Sequence, residues 1–201
     1  MSTAIAEITV SLDGFITGPD PGPEHGLGEG GEALHSWVFD RSDPVAGQVM
    51  AEGPLAAGAV VMGRKLFDLI DGPHGWQADS GYVPGVAFTP PVFVVTHSAP
   101  PAVRLAGQCT IVTAGLTTAL EAARGAAGER HVAVMGGADV IRQVLEQGLV
   151  QELRLHLAPV VLGTGTALFA GPLRVDLIQD SVLVSAHATH LRYRVGARSS
   201  S

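Results

Sequence analysis

The chain has 201 residues, 46% of them hydrophobic and 15% charged, with a formal charge of −7. That size suits one globular domain, and a chain this apolar can bury a sizeable core, which excludes disorder. The acidic balance excludes a general nucleic-acid binder, which needs clustered Lys and Arg, and no apolar run reaches the roughly 18 residues of a membrane span. The N-terminal MSTAIAEITV lacks the basic-then-apolar pattern of a signal peptide, and a single cysteine, Cys109, makes no internal disulfide. Both fit a cytoplasmic protein, with Cys109 read as a small apolar strand residue. Glycine stands out, with 26 beside 13 prolines. Scattered, it would mean loose loops; at strand ends, it would let backbone approach a phosphate.

Residues 5–10 read as a buried strand leading into SLDGFITGPDPGP. Residues 18–31 are rich in Gly and Pro and form a loop, and a loop that long in a compact domain is often functional. Residues 32–39 look helical, with Leu34, Trp37 and Val38 on one face. A second short helix starts after Asp43, where Asp43-Pro44 supplies cap and first-turn residue. Strands follow at 59–62, 92–95, 109–112 and 131–135, with a helical stretch at 65–70 ended by DGPHGW. Residues 116–127 form an Ala-rich helix with Thr117 or Thr118 near its start and a buried stripe of Leu116, Leu120, Ala123 and Ala127. Residues 138–147 form another, with Val140, Ile141, Val144 and Leu145 inward and Gly148 as its stop. The last fifty residues change character: 152–161 alternates, and 177–184 and 187–195 are extended. Together these predict one α/β domain over 1–201, a mostly parallel mixed sheet with flanking helices and an antiparallel C-terminal edge, with 197–201 as a flexible tail.

Ligands of open α/β sheets sit beyond the carboxyl ends of the strands, and three such ends carry suitable chemistry. The first is Val60-Val61-Met62-Gly63-Arg64-Lys65, where glycine, a helix start and two cations meet; the plainer reading is a helix start with solvated basic residues. The second, Val94-Val95-Thr96-His97-Ser98, taken alone is an ordinary turn. The third, Val134-Met135-Gly136-Gly137-Ala138-Asp139-Val140, puts a glycine pair at a strand-to-helix turn, although it is not the G-x-G-x-x-G fingerprint.

These blocks resemble the dihydrofolate reductase superfamily, and within it the branch of the RibD C-terminal reductase domain of riboflavin biosynthesis. The resemblance rests on SLDGFI, VMGRKLFD, VFVVTHS, VMGGADVIRQVL, ELRLHLAPVVLGTGTALF and THLRYRV, in this order over nearly the whole chain. It implies a dihydrofolate reductase-like fold and NADPH as cofactor. By the same resemblance, Gly63, Arg64, Lys65 and Leu66 would lie at the pyrophosphate and adenosine 2′-phosphate. Thr96, His97 and Ser98 would lie under the ribose and 2′-phosphate. Gly136, Gly137, Ala138, Asp139 and Val140 would lie beside the nicotinamide and pyrophosphate, with the glycine pair joined by a cis bond. Thr9 and Ile16 would flank the nicotinamide. An arginine at a 2′-phosphate favours NADPH over NADH.

The departures concern substrate. Dihydrofolate reductases carry an acid on the first helix, where this chain has Leu34, so dihydrofolate itself is an unsuitable substrate. The basic residue usual after S-x-D-G in the riboflavin-pathway reductases is Phe15 here, and the fused deaminase's H-x-E with P-C-x-x-C is absent. Asp13 is the leading candidate for a catalytic polar group near the nicotinamide, against an Asx-turn role in its own loop. His35, Asp40 and His74 are weaker candidates, with a surface residue the plainer reading of each. Trp37 and Trp76 are candidates to line a pocket for a flat substrate, with core packing the plainer role for Trp37. Metal binding is unsupported: the histidines are scattered, and His187 and His190, three apart on a strand, point to opposite faces. The expectation is a reductase of a small C=N- or C=O-bearing metabolite, with a non-catalytic NADP(H)-binding sensor as the rival. The alternating C-terminal strands suit an isologous homodimer.

Overall fold

The most apolar runs of the chain lie side by side in the interior. The computed structural model describes residues 2–73, 75, 76, 82, 83, 86 and 89–196. Its strands are β1 (Ala4–Ser11), β2 (Phe15–Thr17), β3 (Ala57–Gly63), β4 (Val92–Val95), β5 (Cys109–Val112), β6 (His131–Gly136), β7 (Glu152–Ala158), β8 (Thr166–Ala167), β9 (Leu177–Val184) and β10 (Thr189–Val195). Its helices are α1 (Ser36–Phe39), α2 (Pro44–Glu52), α3 (Arg64–Asp71), α4 (Leu116–Ala127) and α5 (Ala138–Glu146). His74 and the 197–201 tail fall outside the described residues.

Eight strands form one sheet in the order β5-β4-β3-β6-β1-β7-β10-β9, and β2 pairs with β8 in a separate ribbon. Every pairing from β5 across to β7 is parallel, and the pairings of β10 with β7 and β9 are antiparallel. This is the mostly parallel sheet with an antiparallel C-terminal edge that the strand-helix alternation predicts. Parallel strands need covering on both faces, and β3 is buried along its whole length accordingly. On one face, Ala4, Ala6 and Val10 of β1, Ala59 and Val61 of β3 and Leu153 of β7 pack against the buried stripes of α4 and α5. On the other, α3 covers β3, β4 and β6 through Phe67 and Ile70. The α1 and α2 segments cover the β7–β10 side through Trp37, Ala46 and Val49.

Several local differences have physical causes. Residues 31–35 form a 3-10 turn and only 36–39 an α-turn, so the helix read over 32–39 is a kinked pair. The strand from Glu152 stops at Ala158, where Val160 turns back to donate to the Ala158 carbonyl. The strand read from 187 starts at Thr189, because Ser185 and Ala188 close a turn through backbone and hydroxyl bonds. As the sequence predicts, Asp43 caps α2, accepting from the amides of Val45 (2.8 Å) and Ala46 (3.1 Å).

The glycine-rich segment 18–31 is a closed loop, not a loose one. Gly18 donates to the Leu27 carbonyl at 2.8 Å and Glu29 to that of Pro19 at 3.2 Å. At Gly28, φ is +78° and a Cβ would come within 2.2 Å of the Pro19 carbonyl oxygen, so only glycine lets the two arms close.

Candidate functional site

The carboxyl ends of β3, β4 and β6 converge. A Cβ on Gly63 would strike Val140 Cγ2 at 2.8 Å and lie 3.7 Å from the Gly136 carbonyl oxygen, so β3 and the β6–α5 turn touch through bare backbone. The Gly136–Gly137 peptide is cis, as the resemblance implies. Gly63 and Gly137 are the caps of α3 and α5, and neither helix has a side chain bonded to its first-turn amides. Two free helix N-termini with positive dipole ends therefore sit close together, an arrangement suited to an anionic diphosphate.

Beside them, the Arg64 guanidinium bonds Asp68 at 2.6 Å and the Ser98 carbonyl at 3.2 Å, while the Thr96 hydroxyl donates to the same carbonyl at 2.9 Å. Arg64, Thr96 and Ser98 thus gather at one edge, with Lys65, His97 and Ser98 exposed. Leu66 is half-buried against the α3 core. Ala138 and the exposed Asp139 start α5; the Asp139 carboxylate suits the helix dipole but not a phosphate, so only backbone serves an anion there. Ile16 comes to this turn too, its Cδ1 lying 3.9 Å from where a Gly137 Cβ would stand. These residues fit a phosphate-bearing dinucleotide in charge, backbone access and lack of obstructing side chains.

Asp13 is exposed, and its carboxylate accepts from the Ser11 hydroxyl (2.6 Å) and the amides of Leu162 (3.1 Å) and Gly163 (2.6 Å). The Ser11 bond first, then the two amides, hold its carboxyl below the usual range. It is a clamp between the β1–β2 turn and the loop after β7. Asp40 bonds Ser42 and pairs with His187 at 3.5 Å on the surface. Trp76 packs edge-on against Tyr82, ring centroids 5.9 Å apart. In β5, burial pushes the Cys109 thiol up to about 11, so it stays protonated.

A second cluster escaped the sequence reading. Alternation puts Glu7 and Thr9 of β1, Arg154 and His156 of β7, and His190 and Arg192 of β10 on one face, beneath α1 and α2. Glu7, Thr9, His156 and His190 are each at most 8% exposed. The Trp37 indole, 3% exposed, donates to the Thr9 hydroxyl at 3.1 Å and packs tilted against His156 and edge-on against His190, with centroids 4.4 and 5.0 Å away. His35 is half-buried nearby, and burial, then the neighbouring His156, push it down to about 4. Arg154 bonds Glu152 at 2.5 Å and the Glu52 carbonyl at 2.9 Å; Arg192 bonds Glu52 at 2.8 Å and Glu152 at 3.2 Å. The signal was present in the polar alternation of ELRLH and in E-x-T-x-S of β1, but only strand order shows that these faces adjoin.

The sequence matches the RibD C-terminal domain family over residues 2–191. No curated protein matches it. Among solved structures, a protein assigned to riboflavin biosynthesis in Shewanella sp. PV-4 is similar at 20% identity and a TM-score of 0.68, covering 97% of this chain and 99% of that one. A pyrimidine reductase-like protein from Corynebacterium diphtheriae is 14% identical with a TM-score of 0.61, covering 98% and 93%. The Thermotoga maritima diaminohydroxyphosphoribosylaminopyrimidine deaminase/5-amino-6-(5-phosphoribosylamino)uracil reductase is 14% identical with a TM-score of 0.59, covering 97% of this chain and 57% of that longer one. At these identities the likeness is one of fold, the dihydrofolate reductase-like α/β arrangement.

Proposed function

The chain belongs to the RibD C-terminal domain family, and on that premise we propose that it is an NADPH-dependent reductase of a small metabolite bearing a C=N or C=O group. The observation that carries this reading is the meeting of two uncapped helix N-termini, at Gly63 and Gly137, beside the Arg64–Thr96–Ser98 cluster. When bound, NADPH supplies a hydride. Backbone amides starting α3 and α5 would hold its pyrophosphate, and Arg64 with Thr96 and Ser98 its 2′-phosphate. Thr9 and Ile16 would border the nicotinamide, and the closed 18–31 loop would exclude water above it. Trp37 supports that wall from behind, since it is bonded to Thr9.

The substrate side departs from a pterin site, because the buried Leu34 offers no charged partner. That departure, with the commitment of Asp13 to loop amides, favours the second reading, an NADP(H)-binding sensor without turnover. A homodimer through the edge strand β9 is supported by its exposed Leu177, Ile178, Val182 and Val184.

Fluorescence titration tests the cofactor assignment. NADPH should bind more tightly than NADH, and Arg64→Ala should remove most of that preference, roughly tenfold or more for a charge-assisted contact. Equal affinity for both nucleotides in the unaltered protein defeats it. NADPH oxidation against pterins, pyrimidines and carbonyl compounds then separates the two readings: tight binding with no turnover of any leaves the sensor.

A further inference from the structure

We propose that Asp68 is a specificity-determining residue for the cofactor: it holds the Arg64 guanidinium in place but offsets its charge, and so limits the preference for NADPH over NADH. This deepens the cofactor reading above and rests on it.

The guanidinium is held on two sides. Asp68 Oδ1 accepts from Nε at 2.6 Å, and the Ser98 carbonyl accepts from Nη1 at 3.2 Å. That carbonyl also accepts from the Thr96 hydroxyl at 2.9 Å, so it is itself tied down. Nη2 has no partner among the described residues and keeps both its hydrogens, on a side chain that is 33% exposed. A 2′-phosphate would meet Arg64 through Nη2 and would not displace Asp68. The carboxylate then stays on the same small planar group as the phosphate, well within the Debye length of about 10 Å at 0.1 M salt.

Helix stability does not account for this arrangement. Arg64 and Lys65 open α3, where the dipole disfavours cations, and no acid stands in its first turn. An i,i+4 pair with the cation on the N-terminal side is the weaker orientation, and exposed pairs add little. Two cations at an uncapped helix start suit an incoming anion. Asp68, one turn further on, formally cancels the charge of Arg64 and leaves that of Lys65.

Asp68 therefore acts on binding in two opposing ways. By fixing Nε it reduces the rotamer entropy that a long side chain would lose on meeting the phosphate. By its charge it repels a group that carries about −1.5 to −2 at neutral pH. Positioning is shared with Ser98, whereas the repulsion belongs to Asp68, so charge is the larger effect. NADH, with a hydroxyl in place of the phosphate, escapes that repulsion. It also finds a guanidinium already paired, so no cation is left without a counter-charge when NADH binds. Both effects narrow the gap between the two cofactors.

Fluorescence titration of both nucleotides with Asp68→Asn and Asp68→Ala separates charge from position. The asparagine side chain keeps an oxygen to accept from Nε and removes the charge. It should tighten NADPH about three- to tenfold and leave NADH within about twofold, with a steeper salt dependence for NADPH. Alanine removes the bond as well, so its gain for NADPH should be smaller. Thermal melts verify that both variants fold, as expected at a side chain 41% exposed. Unchanged or weaker NADPH binding in Asp68→Asn, or an equal gain for NADH, overturns the proposal and leaves the cofactor assignment standing. A gain in Asp68→Ala at or above that in Asp68→Asn overturns the positioning role. If the unaltered protein binds both nucleotides equally and Arg64→Ala changes neither, the cofactor assignment itself fails.

Discussion

The two faces of the eight-stranded sheet come from the same strands yet are built oppositely. Beneath α4 and α5, β1 presents Ala4, Ala6 and Val10, β6 presents Val132 and Val134, and β7 presents Leu153, all buried without polar partners. Turn β1 and β7 over, and beside the apolar Ile5 and Ala158 the buried residues are Glu7, Thr9, Ser11, Arg154 and His156, joined by β10's His190. A period of two lets one strand serve both purposes. The apolar face gains stability from packing, which is insensitive to pH. The polar face is held by hydrogen bonds whose donors and acceptors titrate, and its cost if left unpaired is high. Stability and chemistry are therefore divided by face rather than by segment.

The largest effect should come from the apolar face. Ile141→Ala, at a side chain with 0% exposure, should lower unfolding free energy by about 2–5 kcal/mol in urea, with the pH dependence unchanged. A loss below about 1 kcal/mol would show that α5 is not anchored there.

Acid should break the polar face selectively. Burial, then His156, push His190 from its ordinary 6.5 down to about 4. The folded chain thus binds fewer protons than the unfolded chain between those values, so this stability is whole above pH 6.5 and is lost as pH falls toward 4. His35 titrates in the same direction for the same cause. Burial alone would raise the Glu7 carboxyl, but the His156 bond and the His156 and Arg154 charges outweigh it and hold it low, so it extends the loss to lower pH. The slope should approach about 1.4 kcal/mol per pH unit for each group, and His190→Gln should flatten its share; a pH-independent midpoint between 4 and 6.5 contradicts the division by face.

The smallest effect concerns the contact between β3 and the β6–α5 turn. Gly63→Ala would place a Cβ 2.8 Å from Val140 Cγ2, costing about 1–3 kcal/mol. Adding Val140→Ala should restore part of it, measured by thermal melts of both variants. Additive losses would mean that the two residues do not meet.

Much of this was legible beforehand. The runs VFVV and CTIV gave strands with the observed bounds, and the LTTALEAARGAA periodicity gave α4 and its buried stripe. The β2–β8 ribbon was not, since three residues of FIT and two of TA carry no periodicity, and Thr17 meets Thr166 only across the fold. Asp13 was visible as a polar residue on a glycine-flanked turn; that Leu162 and Gly163 occupy it was not. The histidine spacing misled for a related reason. His187 and His190 do not face each other, but the partner of His190 is His156, 34 residues earlier.

What the sequence determined by itself is whatever depends on near neighbours: strand and helix identity, the Asp43 cap, and glycine at the ends of β3 and β6, because propensity and periodicity act over a few residues. What only the tertiary structure decided is which polar strand face meets which. Strand order and register place Glu7, His156 and His190 in contact, and burial then makes each hydrogen bond among them obligatory. The 26 glycines divide the same way. Their positions at strand ends can be read in sequence, but Gly28 and Gly63 are fixed by backbone and side chains that arrive from elsewhere in the chain.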